Sequence, residues 1–137
     1  MGELDFENVV FGYGGNALFN GFSASFAKEQ ISCIVGPNGC GKSTLAKLAM
    51  GLIKPASGRV LIQGRDVASL NPRERARRLG VLVQQQEAPM MTVRELAACG
   101  RFPHHGPLSR LDETDAQCID ETLSLAGVYD LRDRPLR

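Results

Sequence analysis

The residues best suited to chemistry form one stretch, residues 36–44, which reads Gly-Pro-Asn-Gly-Cys-Gly-Lys-Ser-Thr. Gly36 and Gly41 are separated by four positions, and a Lys and a Ser follow, which is the spacing of a phosphate-binding loop. Gly39 allows the backbone to curl so that successive N–H groups point inward and bind oxyanions. A helix beginning near Lys42 would add its positive end. We call residues 36–44 the phosphate loop, and its pattern predicts binding of a triphosphate group.

The side chains of the phosphate loop have distinct expected roles. Lys42 would reach the β- and γ-phosphates, Ser43 would place its hydroxyl on a bridging Mg²⁺, and Thr44 would donate to the phosphate nearest the sugar. A chance glycine turn is the alternative interpretation, but the loop lies between a strand-like and a helix-like apolar run, as a phosphate-binding loop requires. The residues expected to contact the nucleotide here are Gly36, Asn38, Gly39, Cys40, Gly41, Lys42, Ser43 and Thr44.

Composition narrows the class of protein. A chain of 137 residues fits one domain, and a net charge of +1 provides no basic field for nucleic acid. The apolar runs are only as long as strands, so we expect no transmembrane helix. The acidic N-terminal residues do not resemble a signal peptide, so we expect a cytosolic location. The cysteines lack metal-ligand spacing and are expected to be reduced, with the Cys40 thiolate favoured by the helix start and Lys42. They are Cys33, Cys40, Cys99 and Cys118.

Strand-like runs surround the phosphate loop. Alternating apolar residues predict a hairpin, with a first strand of about eight residues from Leu4, a glycine-rich turn at residues 12–15 and a second strand around residues 22–26. Residues 59–63 predict a further strand. Residues 31–35 and 79–83 are apolar on both faces, so we expect them to be neighbouring buried strands of a parallel sheet.

Three capping signals predict helix starts, at Asn71, Thr92 and Asp112. The helix that begins at Asp112 should bury an apolar stripe made of Ala116, Ile119, Leu123 and Ala126. The arginines of the helix that begins at Asn71 should form a solvated face. The adjacent His104 and His105 have no partners at metal-ligand spacing, so we expect a solvated pair.

Gln84 directly follows the second buried run. Ligands of parallel sheets lie at the carboxyl ends of strands, so Gln84 could face the γ-phosphate and its metal. An ordinary polar loop at residues 84–86 is the open alternative.

The phosphate loop, Tyr13 and Gln84 together resemble the nucleotide-binding subunit of an ABC transporter. The resemblance implies ATP and Mg²⁺ as cofactors, stacking of adenine on Tyr13, and a Gln84 that touches the metal and the attacking water. It makes Lys42 and Gln84 catalytic and Ser43 and Gln84 metal ligands. The residues alone leave open that Tyr13 is a turn aromatic covering the hairpin.

A narrower resemblance lies in residues 91–96, 100–104 and 125–128, which read Met-Thr-Val-Arg-Glu-Leu, Gly-Arg-Phe-Pro-His and Leu-Ala-Gly-Val. These stretches resemble the corresponding sequences of ATP-binding subunits from importers of iron-siderophore complexes, haem or cobalamin. This implies transmembrane permease subunits and a second nucleotide-binding subunit as partners. It also implies a peripheral position on the cytoplasmic face of the inner membrane.

The implied fold is an α/β P-loop NTPase of ABC type. One incomplete nucleotide-binding domain is expected: an antiparallel β part at residues 1–30 and 58–70, a P-loop core with a parallel sheet at 31–57 and 79–84, and the start of a helical subdomain at 85–137. In this family a Leu-Ser-Gly-Gly-Gln signature should follow within a few residues of positions 134–137, then an apolar strand ending in Asp-Glu, then a switch histidine, and none of these is present. We therefore expect an N-terminal portion or truncated product that binds ATP weakly and hardly hydrolyses it alone.

Three other functions remain open at this point. The phosphate loop also fits a small-molecule kinase, although a hairpin of some thirty residues precedes it. An ABC-type protein without a membrane partner, acting in DNA repair or on ribosomes, is another alternative. The last is a non-catalytic fragment that binds partner subunits.

Overall fold

The computed structural model describes residues 2–82, 90–105 and 110–136. The chain divides into two compact units, Met1–Val81 and Leu82–Arg137, which are described separately. The strands of the described residues are β1 (Leu4–Tyr13), β2 (Asn16–Phe26), β3 (Ser57–Ile62) and β4 (Arg65–Asp66). Their helices are α1 (Lys42–Ala49), α2 (Pro72–Ala76), α3 (Val93–Cys99) and α4 (Glu113–Leu125), with single 3-10 turns at Val67–Ser69, Phe102–His104 and Tyr129–Leu131.

The first unit is built on an antiparallel sheet with the strand order β2-β1-β3-β4. β1 and β2 form the predicted hairpin, in which Leu4 pairs with Phe26 and Tyr13 with Asn16. Its turn is made by Gly14 and Gly15, both with positive φ, a conformation that glycine adopts without steric cost.

The core of this unit lies between the sheet and α1. Leu45, Leu48 and Ala49 recur at helical spacing, so one face of α1 is apolar, and all three are buried. Leu48 is only 1% exposed. The buried sheet residues and their neighbour in the following 3-10 turn are Phe6, Val9, Val60, Ile62 and Val67.

The two runs expected to form a buried parallel sheet do not do so. Residues 31–35 and 79–82 belong to no strand, and every strand pair of the described residues is antiparallel. Ile31 is 98% exposed, Val35 87% and Leu82 89%. That prediction is wrong for these residues, because a parallel strand needs neighbouring strands and helices on both faces, and no described strand flanks either run. Val83 lies outside the described residues.

All three predicted helix starts are confirmed as capping boxes. In each case the side chain of the capping residue accepts a hydrogen bond from the backbone N–H of the residue three positions later. The pairs are Asn71 with Glu74, Thr92 with Glu95, and Asp112 with Asp115. Each cap satisfies N–H groups that the first helical turn leaves unpaired. At α3 the Thr92 N–H also donates to the Glu95 carboxylate at 2.7 Å, which holds the pKa of Glu95 below its usual value.

The second unit packs α3 against α4. Ile119 and Leu123 of the predicted stripe are buried, whereas Ala126 is exposed. Backbone hydrogen bonds join the residues before α3 to the last described residues. The N–H of Leu136 donates to the carbonyl of Met91 at 2.9 Å, and that of Val93 donates to the carbonyl of Arg134 at 3.1 Å. An antiparallel bridge between Thr92 and Pro135 lies between these bonds.

Candidate phosphate-binding site

The phosphate loop is a solvent-exposed turn that leads directly into α1. Gly39 and Gly41 have φ values of 83° and 102°, which are strained for any residue with a side chain. Gly41 is the N-cap of α1 and offers the helix no side-chain hydrogen bond. The N–H groups of the first turn therefore meet a glycine loop instead of a capping side chain, which is the arrangement that suits an anion.

Lys42 is the first residue of α1, and its ammonium group turns back over the loop. Its Nζ donates to the carbonyl of Gly36 at 2.8 Å and to that of Pro37 at 2.7 Å. It also lies 3.7 Å from the Sγ of Cys40. An ammonium group carries three N–H donors, and these three contacts engage all of them and keep a positive charge at the loop. A bound oxyanion would have to replace one or more of these contacts.

Ser43 and Thr44 occupy the next two positions of α1 and differ in exposure. Ser43 is exposed, whereas Thr44 is 8% exposed. A hydroxyl oxygen is the kind of hard ligand that Mg²⁺ accepts, so Ser43 fits its predicted role. Residues 2–82, 90–105 and 110–136 contain no group of three His, Cys, Asp or Glu side chains able to hold a metal ion.

Tyr13, at the end of β1, lies beside the start of α1. Its hydroxyl is 3.5 Å from the Oγ1 of Thr44, and its ring meets that of Phe11 edge-on at 4.9 Å between centroids. Tyr13 is 53% exposed, so part of the residue is open to solvent. The structure thus brings Tyr13 together with the phosphate loop, whereas Gln84 lies outside the described residues.

The sequence did not indicate which residues pack against the phosphate loop, namely Leu18 and Phe19 of β2. A Cβ atom at Gly41 would lie 2.7 Å from the Cζ of Phe19 and 3.2 Å from the Cδ2 of Leu18. Phe19 is half-buried and packs against the core. No spacing rule connects these β2 residues to the loop, so the sequence carries no signal for this contact beyond the glycine itself.

The expectation of two solvated histidines is wrong for His105. Its Nε2 lies 2.7 Å from the Oδ2 of Asp115, which is 1% exposed, and Arg101 donates to the other carboxylate oxygen at 2.8 Å. The N–H of Asp112 also donates to Asp115, at 2.9 Å. This bond, with the contacts from His105 and Arg101, holds the pKa of Asp115 far below its usual range despite burial. His104 is exposed as expected.

No helix within the described ranges is long and apolar enough to cross a membrane.

Comparison with known proteins places this geometry in context. Residues 19–137 match the family described as ABC transporter. The chain is 33% identical over 137 residues to the iron(3+)-hydroxamate import ATP-binding protein FhuC of Bacillus subtilis, covering 99% of this chain and 51% of the relative. It is also 33% identical over 135 residues to the ferric enterobactin transport ATP-binding protein FepC of Escherichia coli, covering 98% of this chain and 50% of the relative.

The fold matches a solved structure as well. A nucleotide-free ATP-binding cassette from an ABC transporter superposes with a TM-score of 0.77 at 30% identity, over 98% of this chain and 57% of the other. The chain therefore spans about half the length of the curated relatives it matches.

Proposed function

Since the chain belongs to the ABC transporter family, we propose that it binds ATP with Mg²⁺ at the phosphate loop, as part of the ATP-binding subunit of an importer. One observation carries this proposal: a glycine loop and a lysine ammonium group meet at the uncapped start of α1. Family membership favours this function over a small-molecule kinase.

Each residue of the loop contributes a separate interaction. The backbone N–H groups at residues 39–44 and the start of α1 would bind phosphate oxygens. Lys42 would exchange its bonds to the loop carbonyls for bonds to the β- and γ-phosphates, while Thr44 would donate to the phosphate nearest the sugar. The exposed ring of Tyr13 would stack on adenine.

Ser43 and Gln84 would hold the magnesium ion, which would neutralise part of the negative charge on the phosphates. Gln84 would also orient water. Hydrolysis belongs to a longer protein in this proposal, and the 137-residue chain binds ATP weakly and turns it over very slowly.

The names of the relatives extend the proposal to transport. Both curated relatives are ATP-binding proteins for iron complexes, a hydroxamate and enterobactin. We therefore propose uptake of an iron-siderophore-type substrate, with permease subunits and a second nucleotide-binding subunit as partners at the cytoplasmic face of the membrane. Residues 1–30 and 58–70 would be its antiparallel β part, 31–57 and 79–84 its P-loop core, and 85–137 the start of its helical subdomain.

Calorimetric titration of the 137-residue chain with MgATP tests the proposal. We expect weak binding that Lys42→Ala abolishes, because the substitution removes the positive charge at the loop. Lys47→Ala is the matched control, since Lys47 is an exposed lysine in the last turn of the same helix. Absence of binding by a folded chain, or equal loss in both variants, would refute nucleotide binding at this loop.

A further inference from the structure

We propose that Phe19 is a positioning residue that holds the phosphate loop against the β1–β2 hairpin. Its role in nucleotide binding rests on the function proposed above, whereas its effect on the loop does not.

The first argument is the contact at Gly41. This residue combines a φ of 102° with a close aromatic neighbour, since any Cβ would lie 2.7 Å from Cζ and 3.1 Å from Cε1 of Phe19. Gly41 is also the N-cap of α1. The ring of Phe19 therefore limits where the turn into α1 can lie.

The second argument is that the ring itself is held firmly. Phe19 pairs across the hairpin with Phe11 and packs on Phe22, with 5.3 Å between the ring centroids. Phe22 in turn meets the buried Phe6 edge-on at 5.7 Å. A side chain anchored to the core in this way transmits the position of the sheet to the loop.

The third argument is that the same hairpin end carries Tyr13. Phe11, the cross-strand partner of Phe19, packs against Tyr13, whose hydroxyl approaches Thr44. The hairpin therefore touches the start of α1 at two points three residues apart, Gly41 through Phe19 and Thr44 through Tyr13. This arrangement fixes the distance between the expected base site and the expected phosphate site.

Amide hydrogen exchange of the 137-residue chain tests the positioning role without any ligand. We expect Phe19→Ala to speed exchange of the amides at residues 39–45 by roughly tenfold, because the turn loses its support. Phe26→Ala is the matched control: Phe26 lies on the same strand and packs edge-on against Phe6, and its ring is not among the atoms nearest Gly41. Equal exchange of the loop in the two variants, at matched global stability, would overturn the proposal.

A second variant separates positioning from core stability. Phe19→Tyr keeps the aromatic ring but adds an oxygen at Cζ, the atom that faces Gly41. We expect this variant to speed exchange at residues 39–45 more than elsewhere in the first unit, because the added oxygen would crowd Gly41 while the ring keeps its packing on Phe22. An unchanged loop in Phe19→Tyr would show that the ring does not restrict the turn.

Binding of MgATP and of magnesium tripolyphosphate then relates the contact to function. Phe19→Ala should weaken both ligands by a similar factor, whereas Tyr13→Ala should weaken MgATP more than tripolyphosphate, because it removes the expected base contact as well as the contact with Thr44. If the unmodified chain binds neither ligand, the proposed function fails, and the exchange experiment still decides the role of Phe19.

Discussion

The hydroxyl of Tyr13 lies 3.5 Å from the Oγ1 of Thr44, and this contact joins the end of β1 to the first turn of α1. The two residues are 31 positions apart in the chain. Their proximity places an exposed aromatic ring beside a helix start that carries Lys42 and Ser43. This arrangement matches the two ends of a nucleotide, because the aromatic ring suits the flat base and the helix start suits the charged phosphates.

Gly41→Ala should destabilise the first unit by about 1–3 kcal/mol, because the residue has a positive φ and its Cβ would overlap Phe19. Urea unfolding measures this difference. Gly80→Ala is the control, since a Cβ at Gly80 meets no atom within 4 Å. Equal stability of the two variants would contradict the strained turn.

Leu48→Ala should lower the free energy of unfolding by about 2–5 kcal/mol, because Leu48 is buried between α1 and the sheet. Leu52, just beyond the same helix, is 68% exposed. Leu52→Ala should change stability by less than about 0.5 kcal/mol. A comparable loss of stability in both variants would contradict the burial of Leu48 in the core and the exposure of Leu52 to solvent.

Ile31→Lys should leave the free energy of unfolding within about 0.5 kcal/mol of the parent chain, because Ile31 is 98% exposed. It should also reduce self-association, since a charge interrupts an exposed apolar run. Denaturant unfolding and light scattering measure the two effects. Ile62→Lys, at a residue that is 3% exposed, should unfold the first unit. A large loss of stability in Ile31→Lys would indicate that residues 31–35 are buried after all.

Asp115→Asn should lower the melting temperature at pH 7, because the carboxylate accepts from Asp112 and Arg101 and contacts His105. The pKa of Asp115 lies below its unfolded value of about 3.9. The charged carboxylate therefore stabilises the folded state above about pH 4, and this contribution is lost as the pH falls further.

The difference between Asp115→Asn and the parent chain should accordingly shrink from pH 7 to pH 3, as followed by thermal unfolding. Asp133→Asn is the control, because its side chain is 80% exposed. A difference that is independent of pH would show that the amide disturbs packing and not charge.

Features set by neighbouring residues were predictable from the sequence. The hairpin depends on alternation and on Gly14 and Gly15, and the caps depend on pairs three residues apart, such as Thr92 and Glu95. The phosphate loop is likewise one continuous stretch. Such signals need no knowledge of the rest of the fold.

Features that depend on distant residues were not predictable. An apolar run such as residues 31–35 indicates a buried strand only if neighbouring strands are present to pair with it. His105 looked solvated because its partner, Asp115, lies on another element. Phe19 supports Gly41 across 22 positions, and no local pattern records this packing.

The hydrogen bonds that join Met91 to Leu136 and Val93 to Arg134 have a topological consequence. Residues 91–93 and 134–136 are therefore neighbours, so the residues between them close on themselves. A segment closed in this way can change in length or sequence between its paired ends without moving those ends apart.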